Sequence, residues 1–336
     1  MQFDKIMFDG FAAALEAGAP GQITKDAYRK LDQKPTYVIA LGKAAGAMAT
    51  AVQDGGYDGP GLVITTDENH RHIDGFDCIA SAHPVPDKRG LDAANTVETL
   101  VAGLDQTDHL LLLISGGGSA LLPAPASGIS LAQKTALHNM LLASGLDIHS
   151  INIVRRLFSR LKGGQLARVA APARITQFLL SDVPGDALES IASGLAAADP
   201  VPFDDALALI RDHKLDRLDF VIPHLNSIAN GDVSGPVQPG DPILDRVTTR
   251  ILASNEQCRE AAASYIRSAL PQLDYINAPD LDGEATEMAH RLAALVLKHH
   301  TKNENMARPF GFVVGGETTV TLDMSNPGKG GRSQEL

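Results

Sequence analysis

Cysteine is nearly missing from this chain: Cys78 and Cys258 are the only two in 336 residues. They lie far apart and in no metal-type spacing, which excludes a disulfide scaffold and a cysteine metal site. Both are expected as small core residues of a reduced, cytoplasmic protein. No apolar run approaches the length that spans a bilayer, so no membrane attachment is expected. The start, Met1-Gln-Phe-Asp-Lys-Ile-Met-Phe-Asp, carries acidic residues within its apolar pattern, unlike a secretory signal. Its spacing of Phe3, Met7, Phe11 and Leu15 predicts an amphipathic helix instead. Positive charge is in deficit, with 29 Lys and Arg against 40 Asp and Glu and a net charge of −11. That balance argues against nucleic acid and anionic membranes as partners and leaves the local basic clusters to small anions. Two phosphate-loop patterns are also missing. No G-x-x-x-x-G-K-[ST] occurs, and the dinucleotide fingerprint is incomplete, because Leu121 stands where the third glycine after Gly116 and Gly118 belongs.

What is present is a chain with 44% hydrophobic residues, ample for packed cores and long enough for two domains. Its most informative stretch is His109-Leu-Leu-Leu-Leu-Ile-Ser-Gly-Gly-Gly-Ser-Ala-Leu-Leu122. Five consecutive aliphatic residues suit a strand covered on both faces, as in a parallel sheet. Gly116, Gly117 and Gly118 then leave amides uncovered, a setting that attracts a phosphate or carboxylate and that also suits a plain tight turn.

Apolar runs alternating with helical patterns predict a doubly wound α/β sheet. Strands are expected at Tyr37-Val-Ile-Ala-Leu, Leu62-Val-Ile-Thr-Thr, Cys78-Ile-Ala, 110–114, Ile175 to Ser181 and Val247 to Ala253. Helices are expected after Ala44, from about Gly90 to Leu104, from Ser130 toward Gly145, over Ile151 to Leu161, after Ser254, and from Gly283 to His299. Two strands are expected around Gly315-Gly-Glu317. The Gly/Pro-rich stretch from Ser227 to Pro242 reads as a connection between domains. The expected division is therefore an N-terminal domain at 1–230, a linker at 231–242 and a second α/β domain at 243–336. The second domain is read as incomplete, because the chain stops in mid-motif at Gly330-Gly-Arg-Ser-Gln-Glu-Leu336.

In open α/β sheets ligands collect at the carboxyl ends of strands. Lys43 stands there as a point charge for a phosphate, and Thr65, Thr66, His83 and the segment Ser115 to Ser119 end the next strands. Asp182 and Asp186 offer carboxylates to a divalent cation or to a substrate hydroxyl, or else cap helices. Arg155, Arg156, Arg160 and Lys162 form a basic cluster that ends in Gly163-Gly164, whose amides can approach an anion. Asn152 reads as a helix cap. Asn255, Asp282, Glu284 and Glu317 hold comparable places in the second region, and Arg332 follows a glycine pair.

Together with Leu41-Gly-Lys43 and His83-Pro-Val-Pro-Asp87, the segments Ser115-Gly-Gly-Gly-Ser-Ala-Leu-Leu, Asn152-Ile-Val-Arg-Arg, Leu161-Lys-Gly-Gly-Gln-Leu-Ala, Leu180-Ser-Asp-Val-Pro-Gly-Asp, Ile191-Ala-Ser-Gly and Gly315-Gly-Glu-Thr-Thr-Val-Thr resemble the glycerate 2-kinase family, also labelled hydroxypyruvate reductase. The resemblance covers nearly the whole chain in order. It implies a Rossmann-like N-terminal domain, a C-terminal α/β domain that continues further than this chain does, and ATP- and Mg2+-dependent phosphorylation of D-glycerate at the 2-hydroxyl. It places the family's active-site lysine on Lys43 and its arginine on Arg332. With Asp182 these are the expected catalytic residues. Ser115, Gly116, Gly117, Gly118, Ser119, His83, Asn152, Arg155, Lys162, Asp186 and Glu317 are expected to bind substrate or phosphate, and Asp182 with Asp186 the metal. The chain departs from the family at Leu157, where a histidine is usual, and at Leu195-Ala196, where Pro-Thr is common. An NAD(P)H-dependent hydroxypyruvate reductase and a diverged, weakly active or non-catalytic homologue stay open as alternatives. A homo-oligomer also stays open.

Overall fold

The architecture follows the alternation in the sequence. A computed structural model describes residues 2–144, 146–303, 309–321 and 336. The chain opens with α1 (Gln2–Ala17) and α2 (Pro20–Arg29). Then come β1 (Tyr37–Leu41), α3 (Ala45–Asp54), β2 (Gly61–Thr65), β3 (Phe76–Ala80), α4 (Lys88–Ala102) and β4 (His109–Ile114). Four helices, α5 (Gly118–Leu121), α6 (Leu131–Ala143), α7 (Ile148–Leu157) and α8 (Gln165–Ala170), precede β5 (Arg174–Ser181). Next are α9 (Phe203–Asp212), α10 (Val221–Ala229), β6 (Val247–Ser254) and α11 (Asn255–Ala269). β7 (Asp274–Tyr275), α12 (Ala285–Asn303) and β8 (Phe310–Gly311) complete the described elements.

The chain divides into two units. The larger comprises 20–181 and 185–252, and the smaller gathers 1–19, 182–184 and 253–336. The boundary expected at 231–242 is therefore displaced: that stretch lies inside the larger unit. One reason is that Val237 pairs there, donating its amide to Gly163 O at 2.7 Å and accepting from Asp199 N at 2.8 Å.

In the larger unit the main sheet has strand order β3-β2-β1-β4-β5-β6. β1 runs parallel to both β2 and β4, with Ile39 opposite Leu62 on one side and Leu112 on the other. This is a doubly wound sheet whose direction of winding reverses between β1 and β4, and such a reversal opens a crevice beyond the strands' carboxyl ends. Every residue of β4 is buried, as its unbroken aliphatic run requires. Val38, Ala40, Leu111, Leu113 and Phe178 of the sheet pack against Met48, Ala49 and Val52 of α3. A second core joins α6, α7, α9 and α10 through Leu137, Leu141, Val154, Leu157, Phe158, Ile210, Val221 and Leu225. Full burial of each such aliphatic side chain contributes about 1.5–3 kcal/mol. Leu157, at the position where the resembled family has a histidine, belongs to this apolar core, and its carbonyl accepts from His224 Nε2 at 2.9 Å.

In the smaller unit α1 lies along α11. A Cβ at Gly10 would sit 2.8 Å from Ile266 Cγ1, so the two helices meet at a glycine, and Tyr265 Oη donates to Asp9 at 2.8 Å. The N-terminal helix was expected with Phe3, Met7, Phe11 and Leu15 as its buried stripe. The helix forms, yet these four and Phe8 are exposed, because the face toward α11 runs through Asp9 and Gly10. The two strands expected around Gly315-Gly316-Glu317 reduce to β8 and isolated bridges from Leu281 to Gly316 and Glu284 to Thr319. Gly316, at φ +140, leaves no room for a side chain against Leu281.

Candidate functional site

The crevice between β1 and β4 is built by one glycine. Gly42 follows β1 at φ +120, and a Cβ there would fall 2.3 Å from Ser115 Oγ. The close approach lets Lys43 N donate to Gly116 O at 2.9 Å and Ala44 N to Ser115 Oγ at 3.0 Å. Thr65 Oγ1 fixes the same turn from β2 by donating to Gly42 O at 2.9 Å. Ser115 is thereby a buried strut between the two loops.

Lys43 and His83 are exposed side chains that converge on Gly117. A Cβ at Gly117 would lie 3.2 Å from His83 Cδ2 and 3.5 Å from Lys43 Cε. Burial first, and the Lys43 charge second, hold the His83 imidazole below its ordinary value, with Glu68 opposing, so near neutral pH the ring is uncharged. Among the described residues the amides of Gly116 to Ser119 donate to no protein acceptor. Ammonium, imidazole and free amides from three strand-end loops thus lie around Gly117.

Beyond Ser119 lies a second group of cations. Lys162 is buried, and its ammonium donates to Ser119 O at 2.6 Å and Ser119 Oγ at 2.8 Å. Ser119 Oγ also meets the buried Ser193 Oγ at 2.8 Å. Burial, then Lys134 and Arg155, push Lys162 well below the usual lysine range. Arg155 donates from Nη1 to Asn152 Oδ1 at 3.3 Å and from Nη2 to His138 Nδ1 at 2.9 Å. A guanidinium only donates, so His138 Nδ1 is the acceptor and its proton sits on Nε2. Burial and the surrounding cations lower His138 to about 4, consistent with that neutral ring. Lys134 Nζ donates to Phe158 O at 2.6 Å, and burial lowers its pKa to about 7, with Arg155 and Arg160 adding to the effect.

Several expectations change here. Asn152 is not a cap: α7 starts at Ile148 with Asp147 as its cap, and Asn152 is buried in mid-helix facing Arg155. Gly163 and Gly164 do not present amides to an anion, since they donate to Ser193 O at 3.0 Å and Gly194 O at 2.7 Å and so hold the Ser193 turn in place. Arg156 is separate from the cation group. It is fully buried in a two-point ion pair with Asp199, 2.6 and 2.9 Å, and donates to Glu189 O. Arg160 pairs with Glu98.

Asp182 is exposed and belongs to the smaller unit, whereas Asp186, half-buried at φ +55, belongs to the larger. Among the described residues no group of three or more His, Cys, Asp or Glu side chains is assembled for a metal. One or two carboxylates with substrate phosphates are the usual magnesium set, and Asp182 and Asp186 fit that chemistry singly. Glu317 is exposed in the smaller unit, with its amide donated to Leu281 O at 2.9 Å. Glu284 is a structural brace there, accepting from Thr321 N and Oγ1. Asp282 accepts from Gly283 N, and Asn255 opens α11. Cys78 and Cys258 are unpaired and half-buried. Arg332 lies outside the described residues. No described helix is long and apolar enough to cross a membrane. A cavity of about 310 Å³ lined by Leu188, Ala197, Pro200, Leu244 and Val247 lacks cationic side chains and is distinct from the candidate site.

Sequence reasoning missed Lys134, His138 and Ser193. Lys134 and His138 are four apart and so share one face of α6, which was the one available signal.

Fold and site define a doubly wound α/β protein whose switch point gathers Lys43, His83 and the loop amides of Gly116 to Ser119, and the chain belongs to the family described as a domain of unknown function, DUF4147, matched over residues 7–226. Its relatives are more telling. It is 34% identical to a glycerate 2-kinase of Pyrococcus horikoshii, over 89% of this chain and 67% of that protein. It is 35% identical to a putative hydroxypyruvate reductase of Agrobacterium vitis, again over 89% and 67%. The crystal structure of a glycerate kinase of Thermotoga maritima superposes with a TM-score of 0.83 at 30% identity, covering 99% of this chain and 78% of that one.

Proposed function

We propose that this chain is a glycerate 2-kinase that transfers the γ-phosphoryl group of ATP to the 2-hydroxyl of D-glycerate with magnesium. The observation that carries the reading is the convergence of Lys43, His83 and the free amides of Gly116 to Ser119 beside basic side chains that, among the described residues, have no carboxylate partner. Glycerate kinases among the relatives support it.

Phosphoryl transfer asks a protein for positioning and charge neutralisation rather than for a covalent nucleophile. The glycerate oxygen forms the new P–O bond, the β–γ bridging P–O bond breaks, and ADP leaves with the electron pair. Lys43 offsets charge on the phosphoryl oxygens, the loop amides orient them, and the neutral His83 is placed to take the hydroxyl proton. Arg155 and Lys162 hold an anionic group of the reactants, with Asn152 orienting Arg155. Arg332 and Glu317 are assigned to the same reaction by resemblance. Asp182 or Asp186, each as a single carboxylate, would hold magnesium, which would supply charge neutralisation on the nucleotide phosphates.

The alternative, a hydroxypyruvate reductase, is disfavoured by Leu121, which is fully buried where a dinucleotide loop requires glycine. Two assays on the purified chain separate the readings: D-glycerate-dependent ADP release with ATP and magnesium, and hydroxypyruvate-dependent oxidation of NADH or NADPH. ADP release alone is the expected result. Nicotinamide oxidation alone would replace the kinase with the reductase, and neither activity would leave a non-catalytic homologue.

A further inference from the structure

We propose that Lys134 on α6, which lies outside every motif singled out in the sequence, completes with Arg155 and Lys162 one anion subsite that takes a phosphate or carboxylate group of the reacting molecules. The identity of that anion rests on the kinase reading; the subsite itself rests on geometry. Three basic side chains come from three segments: Lys134 on α6 lies one turn before His138, which accepts from Arg155 Nη2 on α7 at 2.9 Å, and Lys162 after α7 is near enough to feel both charges. Among the described residues their polar partners are Phe158 O, Asn152 Oδ1, His138 Nδ1, Ser119 O and Ser119 Oγ. None of these is a carboxylate. The other ionisable groups around Lys134 do not supply the missing charge. His138 on the same helix is neutral, His224 on α10 donates from Nε2 to Leu157 O, and Arg160 is already met by Glu98. A buried cation group without a counter-ion is unfavourable unless an anion joins it. Lys134, His138 and Arg155 are half-buried, so the group is not sealed.

The arrangement has a consequence that a purely structural lysine lacks. Without ligand, Lys134 sits near the borderline of charging at about 7. An anion beside it favours the ammonium, so ligand binding above neutral pH takes up a proton at Lys134. Arg155 cannot share in that uptake because a guanidinium is always charged, whereas Lys162, pushed well below the usual lysine range, contributes its own share.

The test is titration calorimetry on the full chain at about pH 8, where an ordinary lysine is already charged. Two buffers of different ionisation enthalpy are used, with inorganic phosphate, D-glycerate and ADP as separate probes. At least one probe is expected to bind with uptake of part of a proton, and which probe does so tells whether the subsite serves a phosphoryl group, the acid or the nucleotide. Lys134→Met is expected to reduce the uptake to the share of Lys162 and to weaken that probe about 10- to 100-fold, the range for one charge-assisted hydrogen bond. Phe158 O keeps Ala126 N at 3.1 Å in that variant, so the local fold retains a donor. Lys134→Arg is expected to restore affinity while the uptake stays at the reduced level of Lys134→Met. Binding of none of the probes, no uptake in the unaltered chain, or unchanged affinity in Lys134→Met overturns the proposal. Turnover of glycerate with unchanged Lys134→Met binding sinks the subsite alone, and proton-linked binding without turnover sinks the kinase reading alone.

Discussion

Two adjacent arginines on α7 should respond oppositely to truncation. Arg156 is fully buried, paired at two points with Asp199, itself 3% exposed, and donates in addition to Glu189 O. In Arg156→Ala the Asp199 carboxylate keeps only Val201 N at 3.1 Å, and Glu189 O loses a donor. Removing one partner of a buried ion pair costs about 3–5 kcal/mol, because the charge left behind is desolvated and unmatched. Arg155 is half-buried among like charges, and its contacts to Asn152 and His138 are surrounded by Lys134 and Lys162. Its replacement by Met removes a desolvated cation from a repulsive group. The expected change in stability is between zero and a gain of about 1 kcal/mol, in keeping with sites where function is held at the expense of stability. Urea unfolding followed by circular dichroism, with the midpoint compared at constant slope, measures both variants. Loss of glycerate turnover should follow Arg155→Met, whereas Arg156→Ala should be seen first in the unfolding midpoint. Equal destabilisation by the two substitutions, or less than about 1 kcal/mol for Arg156→Ala, would refute the division of roles.

Lys43→Ala is expected to lower kcat for ADP release about 100- to 1000-fold, the scale for one transition-state charge contact, while the unfolding midpoint stays put because the side chain is exposed. Gly42→Ala should cost at least about 2 kcal/mol, since φ +120 and the 2.3 Å approach to Ser115 Oγ both resist a Cβ; a near-wild-type midpoint would show that the turn relaxes. In the absence of anions the larger unit should gain stability as pH rises from about 7 toward 10.5, because the unfolded chain binds a proton at Lys134 that the folded chain has already released. Unfolding measured at the two ends of that window should show the slope, and Lys134→Met should reduce it, leaving the share of Lys162. Asp182→Asn should move the magnesium titration of turnover to higher concentration, and an unaltered titration would remove Asp182 from the metal.

The sequence by itself determined the sheet and its loops. The unbroken aliphatic run of β4 can only be satisfied by cover on both faces, and Gly42 and the triplet at Gly116 to Gly118 announce where backbone must come close. A cap at Ser130, and one at Ser254 or Asn255, were legible for the same local reason, and the structure completes a capping box at Ser130 and settles on Ser254: a hydroxyl that meets an amide three residues on needs no tertiary partner. Tertiary structure alone decided which side chains meet. Arg155 and Arg156 are neighbours in sequence, yet the turn of α7 sends one to an unmatched group of cations and the other to Asp199. Gly163-Gly164 looked like an anion loop until its amides found Ser193 and Gly194 across a long stretch of chain. The apolar stripe of α1 was legible as a helix, but which face packs was settled by Gly10, where lack of a side chain brings α11 close. Lys134 carried no motif, because its meaning comes from cations 21 and 28 residues further along the chain, Arg155 and Lys162, that only packing of α6 on α7 and the segment after it brings to one place. Local chemistry is written in the order of residues, whereas desolvation and charge coupling arise when distant segments exclude water together.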